Sequence, residues 1–318
     1  MEPPPADDPI AELLTTYNEL NSIYIDELPS EPSPLEFMRY VSRNTPFVVR
    51  GGALEWEAVR KWDAAYLAAV LDGHKVNVAV TPLGNADAPT VFHSGADSND
   101  GHERLVFAKP YEEDQVFGNF LHYVMQQEKK QNIKGEVRYA QTQNDNLRHE
   151  YISMFSQVQS SIPFARVALG RDPDAINLWI GNSQSVTAMH RDNYENIYVQ
   201  IIGRKHFVLL PPFFQACVNE QELESATYAR RTKKDGVLDG DGVGDDHYDG
   251  KGLMLCLDKE SQQQGDQKGD QNGPLPKVPF AIWDPDEPSR NATAYSHLAE
   301  PMRVTLEPGD MLYLPAMW

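Results

Sequence analysis

The chain has 318 residues, of which 41% are hydrophobic and 10% aromatic, enough apolar material for a large core and too much for a disordered chain. Its 47 acidic against 28 basic side chains leave a formal net charge of -19, which argues against a nucleic-acid groove or an anionic membrane surface. Two cysteines, Cys217 and Cys256, cannot build a disulfide framework, no apolar run reaches membrane-spanning length, and Met1-Glu-Pro-Pro-Pro lacks the marks of a signal peptide. A soluble protein of a reducing compartment is expected, in the cytoplasm and also the nucleus.

Residues 1–9, rich in Pro and Asp, read as disordered. Apolar residues at near-helical spacing follow from Ile10 to Leu20. Ser33-Pro34-Leu35-Glu36 combines an N-cap serine, a proline at the first helical position and a capping-box glutamate, predicting a helix through about Val41. Phe47-Val-Val-Arg-Gly reads as a strand ending in a turn, Asp63 to Leu71 as a helix, and Lys75 to Val80 alternates as a strand does. Gln115 to about Lys130 has helical spacing, with lysines at the end where the helix dipole favours them.

From about residue 137 the texture becomes β-like. Strands are predicted over Val137–Gln141, Ala175–Gly181, Ser185–Asp192 and Asn196–Ile202. Gly203-Arg204 reads as a tight hairpin returning through Lys205-His-Phe-Val-Leu-Leu, and two more strands flank Pro308-Gly309. Residues 228–278 are low-complexity, with Asp-Gly repeats and then a Gln-Gly-Asp tract, and read as a long exposed insertion with nothing to bury. They hold no EF-hand spacing, Asn291-Ala-Thr without a leader reads as an accidental glycosylation pattern, and no phosphate loop or nucleophile elbow occurs. The organisation expected is a disordered start and helix (1–30), a helical and strand flank (31–136), and a β-barrel (137–318). The fold class is mainly β with flanking helices, a sandwich or jelly-roll barrel.

His190-Arg191-Asp192 carries the chemistry. In a strand, residues two apart share a face, so imidazole and carboxylate can reach into a barrel together, as in a facial arrangement of two histidines and one carboxylate around iron. A hydrogen-bonded histidine at a strand end is the plain alternative. The same spacing recurs in His247-Tyr248-Asp249, inside the Gly-Asp tract. Thr187 precedes His190 by three residues, and Lys205 opens an otherwise apolar strand, where a buried cation needs an anionic partner such as a dicarboxylate. A lysine snorkelling to solvent beside the turn is the alternative reading there.

Asn177-Leu-Trp-Ile-Gly-Asn, Val186-Thr-Ala-Met-His-Arg-Asp-Asn-Tyr-Glu-Asn-Ile-Tyr, Gly203-Arg-Lys-His-Phe-Val-Leu-Leu-Pro-Pro and Pro308-Gly-Asp-Met-Leu-Tyr-Leu-Pro-Ala-Met-Trp together resemble the JmjC-type, cupin-like 2-oxoglutarate oxygenases. The likeness is strongest to a lysyl-hydroxylase branch acting on developmentally regulated GTP-binding proteins. The resemblance implies a double-stranded β-helix core, Fe(II) as cofactor and 2-oxoglutarate as cosubstrate. It makes His190 and Asp192 iron ligands and Lys205 the partner of the distal 2-oxoglutarate carboxylate. Thr187 and Tyr139 match hydroxyls that help hold that carboxylate, and Tyr198 and Asn196 match positions lining the same pocket. A protein substrate is the implied partner, and a homodimer is compatible with the resemblance.

One departure accompanies it. The family's second histidine ligand follows the Leu-Pro-x-x-Trp run by two or three residues, and the sequence ends at Trp318, so two of three ligands are present. Truncation in mid-motif is the expectation, with weak iron binding and little turnover. The alternatives are a catalytically inactive, metal-free binding protein and, on the same fold, a histone-tail demethylase or peptidase.

Overall fold

The computed structural model describes residues 5, 7–93, 103–129, 135–143, 145–231, 252–258 and 277–318. In chain order the elements are α1 (Pro9–Leu20), β1 (Asp26–Leu28), α2 (Pro34–Arg43), β2 (Phe47–Val49), α3 (Glu57–Lys61), α4 (Ala64–Val70), β3 (Lys75–Thr81), β4 (Ala88–His93), β5 (Glu103–Lys109), β6 (Tyr111–Val116), α5 (Phe117–Lys129), β7 (Val137–Tyr139), α6 (Asn146–His149), α7 (Pro163–Leu169), β8 (Asn196–Val199), β9 (Lys205–Leu209), β10 (Glu220–Arg230), β11 (Leu253–Leu257), β12 (Lys277–Ala281), β13 (Met302–Leu306) and β14 (Met311–Leu314).

Local chemistry explains the helix starts. Ser33 caps α2 reciprocally with Glu36, worth about 1 kcal/mol, and Asn44 closes the helix in the left-handed conformation that asparagine tolerates. Asp63 caps α4 through the Tyr66 amide. The predicted helix from Gln115 begins two residues late, because Gln115 and Val116 belong to β6, paired to β3.

One sheet, in the order β1-β2-β14-β8, positions the site. Alternation divides its two faces. Phe47, Val49, Met311, Tyr313, Ile197 and Val199 pack under α2 and α7 around Phe37 and Phe164. Val48, Leu312 and Tyr198 face the opposite way, onto Leu209, Val304 and Leu306 of the β9-β13 pair. Asn196 and Lys205 share the parity of Tyr198 and Phe207, so both belong to this second, inner face.

The chain's route between the sheets corrects the expected hairpin at Gly203. β8 and β9 do not pair; β8 pairs antiparallel with β14 and β9 antiparallel with β13. The segment 302–314 thus runs back along 196–209 and takes the hydrogen-bonding edges a hairpin would have used. The corner is held by Gln200 and Asp310: the Gln200 amide donates to the Asp310 carbonyl at 3.0 Å, and the Gly309 amide to the Gln200 carbonyl at 2.8 Å. For the same reason the strands flanking Pro308-Gly309 are not a hairpin with each other.

Two more expected strands do not form. Residues 185–192 find few backbone partners among the described residues. The Val186 amide donates to the Gly84 carbonyl and the Met317 amide to the Asp192 carbonyl, and no ladder results. Residues 175–181 are tied instead by side chains: the Asp145 carboxylate accepts from the Ile176 amide and the Asn146 amide group brackets Leu178. Ile180 makes one bridge to Ala140, beside β7.

The 228–278 stretch is also not wholly an exposed insertion. Leu253 and Leu257 are buried, and β11 pairs antiparallel with β10. β11 and β12 lie end to end along one edge of β10, while β5 takes the other edge in parallel, with β4 beyond it. The Asp-Gly and Gln-Gly-Asp tracts, and His247-Tyr248-Asp249 with them, lie outside the described residues. A three-stranded sheet, β6-β3-β7, packs with α4 and α5 in the largest core cluster. Among the described residues no helix is long and apolar enough to cross a membrane.

Asp310 locks the Pro308-Gly309 corner. Its carboxylate accepts from the Gly51 and Glu307 amides and from Arg50 at 2.7 Å. Burial alone would raise its pKa; the two amides and the guanidinium outweigh that and hold it below the usual aspartate range. A carboxyl with a depressed folded pKa contributes fully above the unfolded value of about 3.9, and the contribution fades as pH falls through the folded value. Asp310→Asn should therefore flatten the loss of Tm below about pH 4. Parallel acid limbs for the two proteins would contradict this.

Candidate active site

Two groups of residues make up the candidate site, the second of them on the inner face that carries Tyr198 and Lys205. The first is His190 and Asp192. Although their segment is not a strand, its side chains still alternate: Arg191 turns away to pair with Glu220 at 3.1 Å, and His190 Nε2 lies 3.8 Å from Asp192 Oδ2. His190 Nδ1 is 2.8 Å from the Ala188 carbonyl. Donation from Nδ1 fixes the tautomer and leaves the Nε2 lone pair on the Asp192 side, the arrangement a metal-ligating histidine uses. Both side chains are about half exposed.

The second group centres on Tyr139. This residue ends β7, is 8% exposed, and hydrogen-bonds the Thr187 hydroxyl. Burial pushes its phenol up to about 12, against a smaller lowering by Thr187. Lys205 Nζ lies over the Tyr139 ring, 5.6 Å from its centroid. Tyr198 stands on β8, its ring edge-on to Phe207 at 5.0 Å, and burial raises its phenol too, with Tyr139 adding a smaller push. Asn196 shares Tyr198's face at the start of β8. Gly181 permits this packing, because a Cβ there would come within 2.7 Å of the Tyr139 ring.

Burial lowers the Lys205 pKa, and among the described residues no carboxylate stands within ion-pair distance of it. A desolvated ammonium without a counter-ion is costly unless an anion completes the site. The residues therefore fit a carboxylate ligand. For a metal, imidazole and carboxylate are suitable ferrous donors. Among the described residues no third His, Cys, Asp or Glu joins them.

The cupin-like domain model matches residues 32–318, nearly the whole chain. The chain belongs to the cupin-like JmjC family. It is 32% identical to "Lysine-specific demethylase JMJ32" of Arabidopsis thaliana over 92% of this chain and 75% of that protein. It is 31% identical to "JmjC domain-containing protein E" of Dictyostelium discoideum, covering 91% of this chain and 75% of the relative. With "Bifunctional peptidase and (3S)-lysyl hydroxylase JMJD7" of Homo sapiens it shares 30% identity over 92% of this chain and 77% of that protein. JmjC homologues are 2-oxoglutarate-dependent hydroxylases and demethylases that act on proteins and typically use Fe(II).

In this JmjC chain the structure brings Tyr139, Thr187, Tyr198 and Lys205 together, and His190 with Asp192. It also places Asp87 at the site, which sequence reasoning missed. The Asp87 carboxylate accepts from Gln141 Nε2 at 3.1 Å and lies within the electrostatic reach of His190. Pro82-Leu-Gly-Asn-Ala-Asp87 reads as an ordinary turn, and nothing in it signals proximity to a histidine so far along the chain.

Proposed function

We propose that this protein is an Fe(II)- and 2-oxoglutarate-dependent protein hydroxylase that oxidises a lysyl side chain, built on a double-stranded β-helix. The observation that carries the reading is Lys205, an inward-facing cation without a carboxylate partner among the described residues, set over the Tyr139 ring that meets Thr187 and close in sequence to the His190–Asp192 pair. Lys205 would receive the distal carboxylate of 2-oxoglutarate, with the Thr187 and Tyr139 hydroxyls as neighbouring donors. His190 Nε2 and an Asp192 oxygen would hold iron, which when bound supplies the oxygen chemistry. The rest of the pocket would orient: Tyr198 and Asn196 would line it, and the Nδ1 contact to Ala188 keeps the imidazole base available. The acidic balance suits a basic substrate, and a developmentally regulated GTP-binding protein is the candidate; action in the cytoplasm and nucleus is part of the same reading.

A second reading draws on the plant relative named as a lysine-specific demethylase. It keeps the site and moves the oxidised carbon outward to an N-methyl group. One experiment separates the two. The protein is incubated with 2-oxoglutarate, ascorbate and millimolar Fe(II), which fills even a weak metal site, together with lysyl and methyl-lysyl substrates. Hydroxylation adds about 16 Da to a lysyl residue with one succinate formed; loss of about 14 Da from methyl-lysine supports demethylation. Succinate formation unaffected by removal of Fe(II) would contradict both.

A further inference from the structure

The loop at 82–87 docks against the segment that carries Thr187 and His190. The Gly84 carbonyl accepts from the Val186 amide at 2.8 Å, and the Gly84 amide donates to Thr81 Oγ1 at 2.9 Å. Only glycine serves here: its φ is +81°, and a Cβ would sit 1.9 Å from the Gln184 carbonyl oxygen. Asp87 closes the loop with φ at 52°, a left-handed conformation that aspartate adopts more readily than most residues.

Three observations single out Asp87. Among the described residues its carboxylate accepts from one donor, Gln141, although an ionised carboxylate accepts several hydrogen bonds. Among the described residues no cation lies within ion-pair distance of it, and Lys109, which acts on it from further off, is itself paired to Asp258 at 2.9 Å. In the loop that carries Asp87 and at its docking point, two apolar side chains are open, Leu83 at 72% exposure and Val186 at 58%. A lysyl side chain has the matching design, an apolar stem ending in a three-donor ammonium.

We propose that Asp87 is the cation-binding end of a substrate subsite, pairing with the ammonium of the target lysyl residue while its stem lies along Leu83 and Val186. The proposal rests on the lysyl reading above and adds a specificity-determining residue to it. Asp87 positions the substrate and takes no part in bond breaking.

Binding of two small probes tests it without turnover. N-acetyl-lysine methylamide and N-acetyl-norleucine methylamide, which lacks the ammonium, are titrated into the wild-type protein by NMR in the presence of 2-oxoglutarate. The wild type should prefer the lysine probe by about tenfold. Asp87→Asn should bring that probe down to the norleucine level, and Asp87→Glu should keep a reduced preference. An Asp87→Asn protein with wild-type melting and wild-type preference overturns the proposal and leaves the lysyl reading standing. A wild type without preference overturns both. If Asp87→Asn melts early, Asp87→Glu carries the test, and an undiminished preference in that variant is the contradicting result.

Discussion

Replacing Lys205 with alanine should raise the 2-oxoglutarate Kd by roughly ten- to a hundredfold, the worth of one charge-assisted contact to a desolvated carboxylate. The more telling variant is Lys205→Met, which keeps the apolar stem on the inner face of β9 and removes only the charge. In the protein without cosubstrate that charge is a burden, since burial lowers the lysine's pKa and no carboxylate among the described residues offsets it. Lys205→Met should therefore melt at the same temperature as the wild type or higher in buffer alone. It should gain little from 2-oxoglutarate, whereas the wild type at a hundred times its Kd gains about 2.7 kcal/mol by linkage. Effects of opposite sign on stability and affinity mark a ligand-binding lysine; a structural lysine would lose stability in both conditions. The pH dependence follows from the same shift. Binding needs the protonated amine, so wild-type affinity should fall as pH rises through the lowered lysine pKa, below the usual value of about 10.4.

The second large effect concerns the metal. His190 and Asp192 are the two donors the site offers a ferrous ion among the described residues, so iron binding and 2-oxoglutarate turnover should depend on both. Asp192→Ala should abolish what binding there is, because His190 alone is a monodentate imidazole. Cobalt(II) substitution reads the donors directly. A cobalt spectrum unchanged by Asp192→Ala would contradict the site.

Much of the fold is legible wherever short-range chemistry decides. The capping box at Ser33 and Glu36, the helix expected over Asp63–Leu71 and the alternating strand from Lys75 each form as their local patterns predict. Failures occur where a distant partner decides. Gly203 looks like a hairpin turn, yet β8 and β9 give their edges to strands about a hundred residues later in the chain. β5 is stitched in parallel to β10, a pairing that neither segment's own pattern announces. Leu253-Met-Leu-Cys-Leu is masked in composition by its Gly-Asp and Gln-Gly surroundings, and it still forms a buried strand because β10 offers a free edge. The site shows the same division. His190 and Asp192 stand out by spacing, while Tyr139 and Tyr198 come through family likeness alone, since a tyrosine in a strand is by itself an ordinary core residue. Asp87 was beyond either signal, because only the docking of its loop on Val186 brings it to the histidine.

The central claim is that one pocket holds 2-oxoglutarate beside a metal carried by His190 and Asp192. Manganese(II), a paramagnetic stand-in for the ferrous ion, tests it through the relaxation of the 2-oxoglutarate methylene protons in the presence of the protein. The account predicts strong relaxation enhancement with the wild type, abolished by Asp192→Ala through loss of the metal and by Lys205→Ala through loss of the cosubstrate. Enhancement that is the same with and without the protein, or that survives both substitutions, would contradict it.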